Sequence, residues 1–100
     1  MENEKVWANI WVTQDVCIWE GKVEVALLLV TADDRASEAT MRNGRDSSGS
    51  IVCTVKATET TSVPVSFPKP FYLENGLYIT VGEHTLGVLV IFRPISEITE

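Results

Sequence analysis

The chain is poor in the residues from which most recognisable chemistry is built. It has a single histidine, His84, and two cysteines, Cys17 and Cys53, in one hundred residues. Two cysteines are too few for a disulfide scaffold. Each lies inside an apolar stretch, so buried free thiols are expected, with a single disulfide as the alternative. One histidine and two separated thiols make no metal-ligand cluster. Basic residues are also scarce: eight Lys and Arg face fourteen Asp and Glu, for a net charge of −6. That balance argues against general nucleic-acid binding, which needs phosphate neutralisation. No apolar run reaches the ~18 residues of a membrane span, so no membrane partner is expected. The first residues, MENEKVW, are polar and acidic, unlike a signal peptide. There is no P-loop, no G-x-G-x-x-G, no nucleophile-elbow serine and no internal repeat, and helical periodicity is nearly missing. No cofactor is expected.

What is present is alternation. One hundred residues set one domain, 1–100, with short polar ends (about 1–4 and 94–100) that are candidate arms. In residues 5–12 (KVWANIWV), Val6, Ala8, Ile10 and Val12 share one face, and Trp7, Asn9 and Trp11 the other. DVCIWE (15–20) and VEVALLLVTA (23–32) follow. The second becomes apolar on both faces from Ala26 to Val30, which predicts cover on both sides. DDRASEATMR (33–42) reads as a turn followed by a strand. NGRDSSGS (43–50) is a loop, IVCTVKA (51–57) a strand and TETTS (58–62) a turn. Pro64 within VPVSFP (63–68) cannot donate to a ladder, so that strand lies at a sheet edge or has a free N–H side, and PKP (68–70) reads as a rigid connector. Asn75-Gly76 has only FYL before it, so a redirecting bend is expected rather than a hairpin turn. LYITV (77–81), the loop GEHT (82–85) and LGVLVIF (86–92) read as an antiparallel hairpin. Seven or eight short strands with turns every 8–12 residues predict an all-β antiparallel sandwich or jelly roll.

The candidate chemical groups are weak. His84 sits in a predicted loop tip and would need a pocket and a partner to act as a base in a small hydrolase. Asp33-Asp34 with Glu38 lacks calcium-loop spacing. The aromatics carry more. If Val6, Ile10 and Val12 face the core, Trp7 and Trp11 point outward. They are then covered by the chain itself, packed on a partner, or used to stack on a sugar. Apolar residues on both faces near the C-terminus add Leu89 and Ile91, and Trp19 completes the candidate interface.

Residues 25–93 resemble small virion structural proteins of tailed bacteriophages. The resemblance lies in Leu29 to Ala32, Asn43-Gly44, Ser48-Gly49, Thr61 to Pro68, Glu74 to Ile79 and the segment 77–92. It implies a compact β-sandwich or jelly roll and a homo-oligomer, with a trimer favoured. It also implies a place in the virion, assembled in the host cytoplasm and bound to the major capsid protein or another virion protein. A capsid decoration (cement) protein is the leading role. A neck, tail or head-fibre component binding host-surface carbohydrate through exposed Trp is the alternative. The resemblance supplies no catalytic residue, which agrees with a non-enzyme.

Overall fold

A computed structural model describes residues 7–95. They form eight strands: β1 (Ala8–Val12), β2 (Val16–Glu20), β3 (Val23–Ala32), β4 (Ser37–Asn43), β5 (Ser50–Ala57), β6 (Ser62–Leu73), β7 (Gly76–Val81) and β8 (Thr85–Pro94). Two four-stranded antiparallel sheets result, in the orders β1-β8-β3-β6 and β2-β7-β4-β5. Only β4 and β5 are both consecutive and paired; every other connection crosses from one sheet to the other. The expected all-β sandwich is therefore what the chain forms.

The core lies between the sheets. Val12, Val88, Val90, Val23, Val25, Leu28 and Val30 point in from the first sheet, against Met41, Leu77, Ile79 and Val55 from the second. Each large aliphatic removed from water contributes roughly 1.5–3 kcal/mol. A bulge in β3 sets the phase. The register shifts between Val25 and Leu27, so Val25 and Leu28 both face inward with Ala26 and Leu27 between them. The apolar run 26–30 is thus split: Leu28 and Val30 enter the core, while Leu27 and Leu29 face out. The second layer of cover expected for that run is not there among the described residues. Leu27 and Leu29 are only half-buried.

Two sequence expectations change. First, 77–92 is not a hairpin. β7 pairs with β2 and β4, and β8 with β1 and β3, so the loop after Val81 bridges the sheets. Gly82 N–H donates to Glu38 O and Asp33 N–H to His84 O, each at 2.9 Å, which ties that crossing down. Second, PKP does not separate two strands. β6 runs through it and pairs with β3 on both sides, Val25 opposite Phe71 and Leu27 opposite Ser66, with the intervening residues bulged out. β6 is an edge strand, as Pro64 required. At the C-terminal end, Pro94 still pairs with Val23, and Ile95 N–H donates to Lys22 O. An arm at that end would therefore begin beyond Ile95; residues 1–4 and 96–100 lie outside the described residues.

The bend at Asn75-Gly76 does redirect the chain between sheets. Gly76 has φ 137°, and a Cβ there would stand 2.6 Å from Gly44 O and 2.9 Å from Trp19 O. Both the dihedral and the space exclude side chains. Gly76→Ala should therefore lower stability by about 2 kcal/mol or more, read as a fall of roughly 8–16 °C in Tm by calorimetry.

Candidate interaction surface

Alternation and pairing decide what each sheet shows to the outside. In the β1-β8-β3-β6 sheet, one outward row runs Trp11, Leu89, Leu29, Pro64 across all four strands. The next runs Asn9, Ile91, Leu27, Ser66. Beyond it, Arg93 pairs with Glu24, and Glu24 with Tyr72. At the opposite end lie Gly87, Thr31 and Ser62, with Thr31 Oγ1 hydrogen-bonded to Ser62 Oγ at 2.9 Å. The centre of this face is therefore aliphatic and aromatic.

The Trp11 indole is 51% exposed, yet it is not loose. It lies across Gly87 on the neighbouring strand, where a Cβ would clash with the edge of the indole. Trp7 is fixed from above: the Arg93 guanidinium stacks 4.3 Å from its ring centroid. The same guanidinium donates to Glu24 Oε1 from Nε at 3.1 Å and from Nη2 at 2.5 Å. Along the paired rows of this face Glu24 and Arg93 are the only charged side chains, and each neutralises the other.

The outer face of the β2-β7-β4-β5 sheet is different. Its rows read Thr80, Thr40, Thr54, then Tyr78, Arg42, Ile51, with Glu38 opposite Lys56. Thr40 Oγ1 bonds Thr54 Oγ1 at 3.1 Å, and Arg42 donates to Gly49 O at 3.1 Å. This face is mostly polar, interrupted by Tyr78 and by Ile51, which is 59% exposed. The aliphatic and aromatic rows are concentrated on the other sheet.

Of the candidate interface residues, Trp7, Trp11, Leu89 and Ile91 come together on the apolar face. Trp19 does not join them; it sits on edge strand β2 of the other sheet, 40% exposed. Leu27, Leu29, Pro64 and Gly87 belong to the face and were not singled out. Leu27 and Leu29 were signalled by the doubly apolar run. Gly87 carried no signal, because its role is to leave room for a ring on another strand.

The remaining chemistry is sparse. His84 is at the surface, with Nδ1 3.4 Å from Asp33 Oδ2. It borders an open groove of about 610 Å³ that also touches Ser37, Glu38, Lys56 and Glu83. Ser37 Oγ is sealed beneath the surface with no hydrogen-bond partner, so His84 does not activate it. Asp33, Asp34 and His84 can bring donor atoms within 4.8 Å of one another; the third member is His84, not Glu38. Cys17 and Cys53 are free thiols on opposite edges of one sheet, about 14 Å apart by strand spacing. Burial pushes both thiols up, aided at Cys17 by Glu20, so both stay protonated at neutral pH.

Slight desolvation pushes the Asp33 carboxyl up, but the Arg35 N–H and the facing His84 outweigh it and hold it below the usual aspartate range. The Ser48 hydroxyl and N–H do the same for Asp46. A depressed carboxylate stabilises the fold fully above its unfolded pKa, and the contribution is lost as pH falls through the lower folded value. Asp33→Asn and Asp46→Asn should each flatten the decline in stability below about pH 4, seen by thermal melts across acid pH. In a Trp7→Phe/Trp19→Phe background, Gly87→Ala should displace the Trp11 ring. Its fluorescence should then move to longer wavelength, with more quenching by acrylamide.

No known protein family matches the chain, and no curated protein matches it in sequence. Among solved structures, the Tobacco streak virus coat protein dimer is similar at TM-score 0.41 and 10% identity, over 100% of this chain and 91% of that one. A second crystal form of the Tobacco streak virus coat protein gives TM-score 0.40 and 11% identity, over 100% and 94%. Superposition at this level identifies no role.

Proposed function

We propose that this chain is a non-enzymatic structural component of a virion, acting as a capsid decoration protein. It would dock through the outer face of the β1-β8-β3-β6 sheet. The observation that carries the reading is that face: an aliphatic and aromatic surface across four strands, whose Glu24–Arg93 ion pair is closed on itself. Contiguous apolar surface of this kind marks a protein contact. The resemblance to small phage virion proteins supports the particle. So does the strand pairing, β1 with β8, β2 with β7, β3 with β6 and β4 with β5. That is the jelly-roll winding, which recurs in viral capsid domains but also in lectins and cupins. A decoration protein adds contact at many repeated sites without chemistry, and a broad apolar face suits that task. The major capsid protein is the proposed partner, and the virion the proposed location.

A second reading has its own observation. Beside the exposed Trp11 ring lies a depression of about 190 Å³ lined by Ile10, Thr13, Gln14 and Val16. A flat indole with nearby hydroxyl and amide groups suits stacking on one sugar ring of host-surface carbohydrate. That would place the chain at a neck, tail or fibre.

Particles produced from the genome that encodes this chain should contain it at a fixed ratio to the capsid protein, measured by mass spectrometry. Trp11→Glu should reduce its occupancy at least tenfold. Absence from purified particles would refute the virion role. A glycan-array signal abolished by Trp11→Ala, with occupancy unchanged, would favour the sugar reading instead.

A further inference from the structure

At one end of the sandwich the turn between β3 and β4 meets the crossing between β7 and β8. We infer that a divalent transition-metal ion of the zinc class binds there, held by the His84 imidazole and the carboxylates of Asp33 and Asp34. The site lies apart from the docking face and does not depend on it.

The donor set selects the ion. One ring nitrogen and two carboxylate oxygens lie within 4.8 Å of one another. Calcium takes about six to eight oxygen ligands, and magnesium an octahedral oxygen shell. An imidazole beside carboxylates suits zinc and its neighbours instead. Two carboxylates and a neutral ring also match the charge of one divalent ion.

The spacing is that of two ligands on one ion. His84 Nδ1 and Asp33 Oδ2 stand 3.4 Å apart. A good N–H···O hydrogen bond is shorter, about 2.7–3.2 Å. Zinc binds nitrogen and carboxylate oxygen at about 2.0–2.2 Å in a tetrahedron, which places two such ligand atoms about 3.4 Å apart. With the ring proton on Nε2, Nδ1 and Oδ2 both turn lone pairs to the same point.

Other groups fix the two ligands in place. Asp33 Oδ1 accepts the Arg35 N–H at 2.8 Å, which leaves Oδ2 to face His84. The Asp33 N–H donates to His84 O at 2.9 Å, and Asp33 O accepts the Thr60 N–H at 2.7 Å. Bonds of this kind orient metal-binding side chains. The His84 and Asp33 side chains are 37% and 32% exposed, and Asp34 is exposed. An ion can therefore enter from solvent, and water supplies its fourth ligand. Once bound, it clasps the two crossings together and stabilises the fold.

Calorimetric titration of the full chain, first stripped with a chelator, tests this with ZnCl₂ from about 1 µM to about 1 mM. One zinc per chain is expected, with CaCl₂ giving no heat over the same range. At zinc about tenfold above its Kd, Tm should rise by at least about 5 °C. His84→Asn and Asp33→Asn should each weaken binding at least about tenfold. Asn tolerates the φ of 66° at position 84, so that variant keeps its backbone. Glu83→Gln, in the same loop but outside the donor set, should leave binding unchanged. Because His84 is the only histidine, its ring nitrogens give one NMR signal pair, and Nδ1 should be the one that shifts with zinc. No binding up to 1 mM, calcium binding equal to zinc, affinity unaffected by His84→Asn, or affinity lost in a Cys17→Ser/Cys53→Ser variant would each overturn the inference.

Discussion

β3 is asked to be apolar on both of its sides, and the rest of the molecule follows from how that demand is met. It is an interior strand of its sheet, flanked by β8 and β6. The bulge at Ala26 lets Val23, Val25, Leu28 and Val30 all reach the core although a regular alternation could not keep them in phase. The same phase change turns Leu27 and Leu29 outward. β8 answers in register, with Val88, Val90 and Phe92 inward and Leu89 and Ile91 outward. One sheet thus carries two apolar faces, and the opposite sheet can cover only one of them.

That arrangement explains how the outer surface is maintained. Lone aromatic and aliphatic side chains on a sheet invite misregistered pairing unless something fixes them. Here Trp11 is seated on Gly87, and Trp7 is held under an Arg93 that Glu24 holds in turn. The edges are also managed. β6 carries Pro64 and a bulge, and β2 is short and bulged. Such features oppose strand-to-strand aggregation. They leave the face, rather than an edge, for the proposed docking.

Much of this was legible in the sequence. Period-two alternation marked most of the strands, because each has one face against the same core, but β3 read as apolar on both faces from Ala26 and β6 read as ending at PKP, where it in fact continues to Leu73. Pro64 announced an edge for a direct reason, since it cannot donate to a ladder on both sides. Asn75-Gly76 was readable as a bend because too little strand precedes it to form a hairpin. The pairing was not legible. A four-residue polar break between two apolar runs ordinarily makes a hairpin, and nothing local in GEHT distinguishes a turn from a bridge between sheets. What decides it is distant: the Gly82 and Asp33 N–H groups bond to Glu38 O and His84 O. Trp19 was grouped with Trp7 and Trp11 by residue type, yet β2 belongs to the other sheet, so chemistry alone could not place it. The bulges at Ala26 and around PKP were likewise hidden, because a one-residue slip leaves no mark on composition.

The division between the two outer faces carries the functional argument one step further. A sheet that needed only to be dissolved would repeat the threonine ladder of Thr80, Thr40 and Thr54, which costs the core nothing. The β1-β8-β3-β6 sheet has the same inward demands and could carry the same outward residues. It carries Trp11, Leu89, Leu29, Pro64, Ile91 and Leu27 instead, and a glycine that seats the largest of them. Folding does not require that choice, because the core is complete without it. The proposed docking would: another protein surface laid on a flat four-strand face is the kind of cover these residues suit.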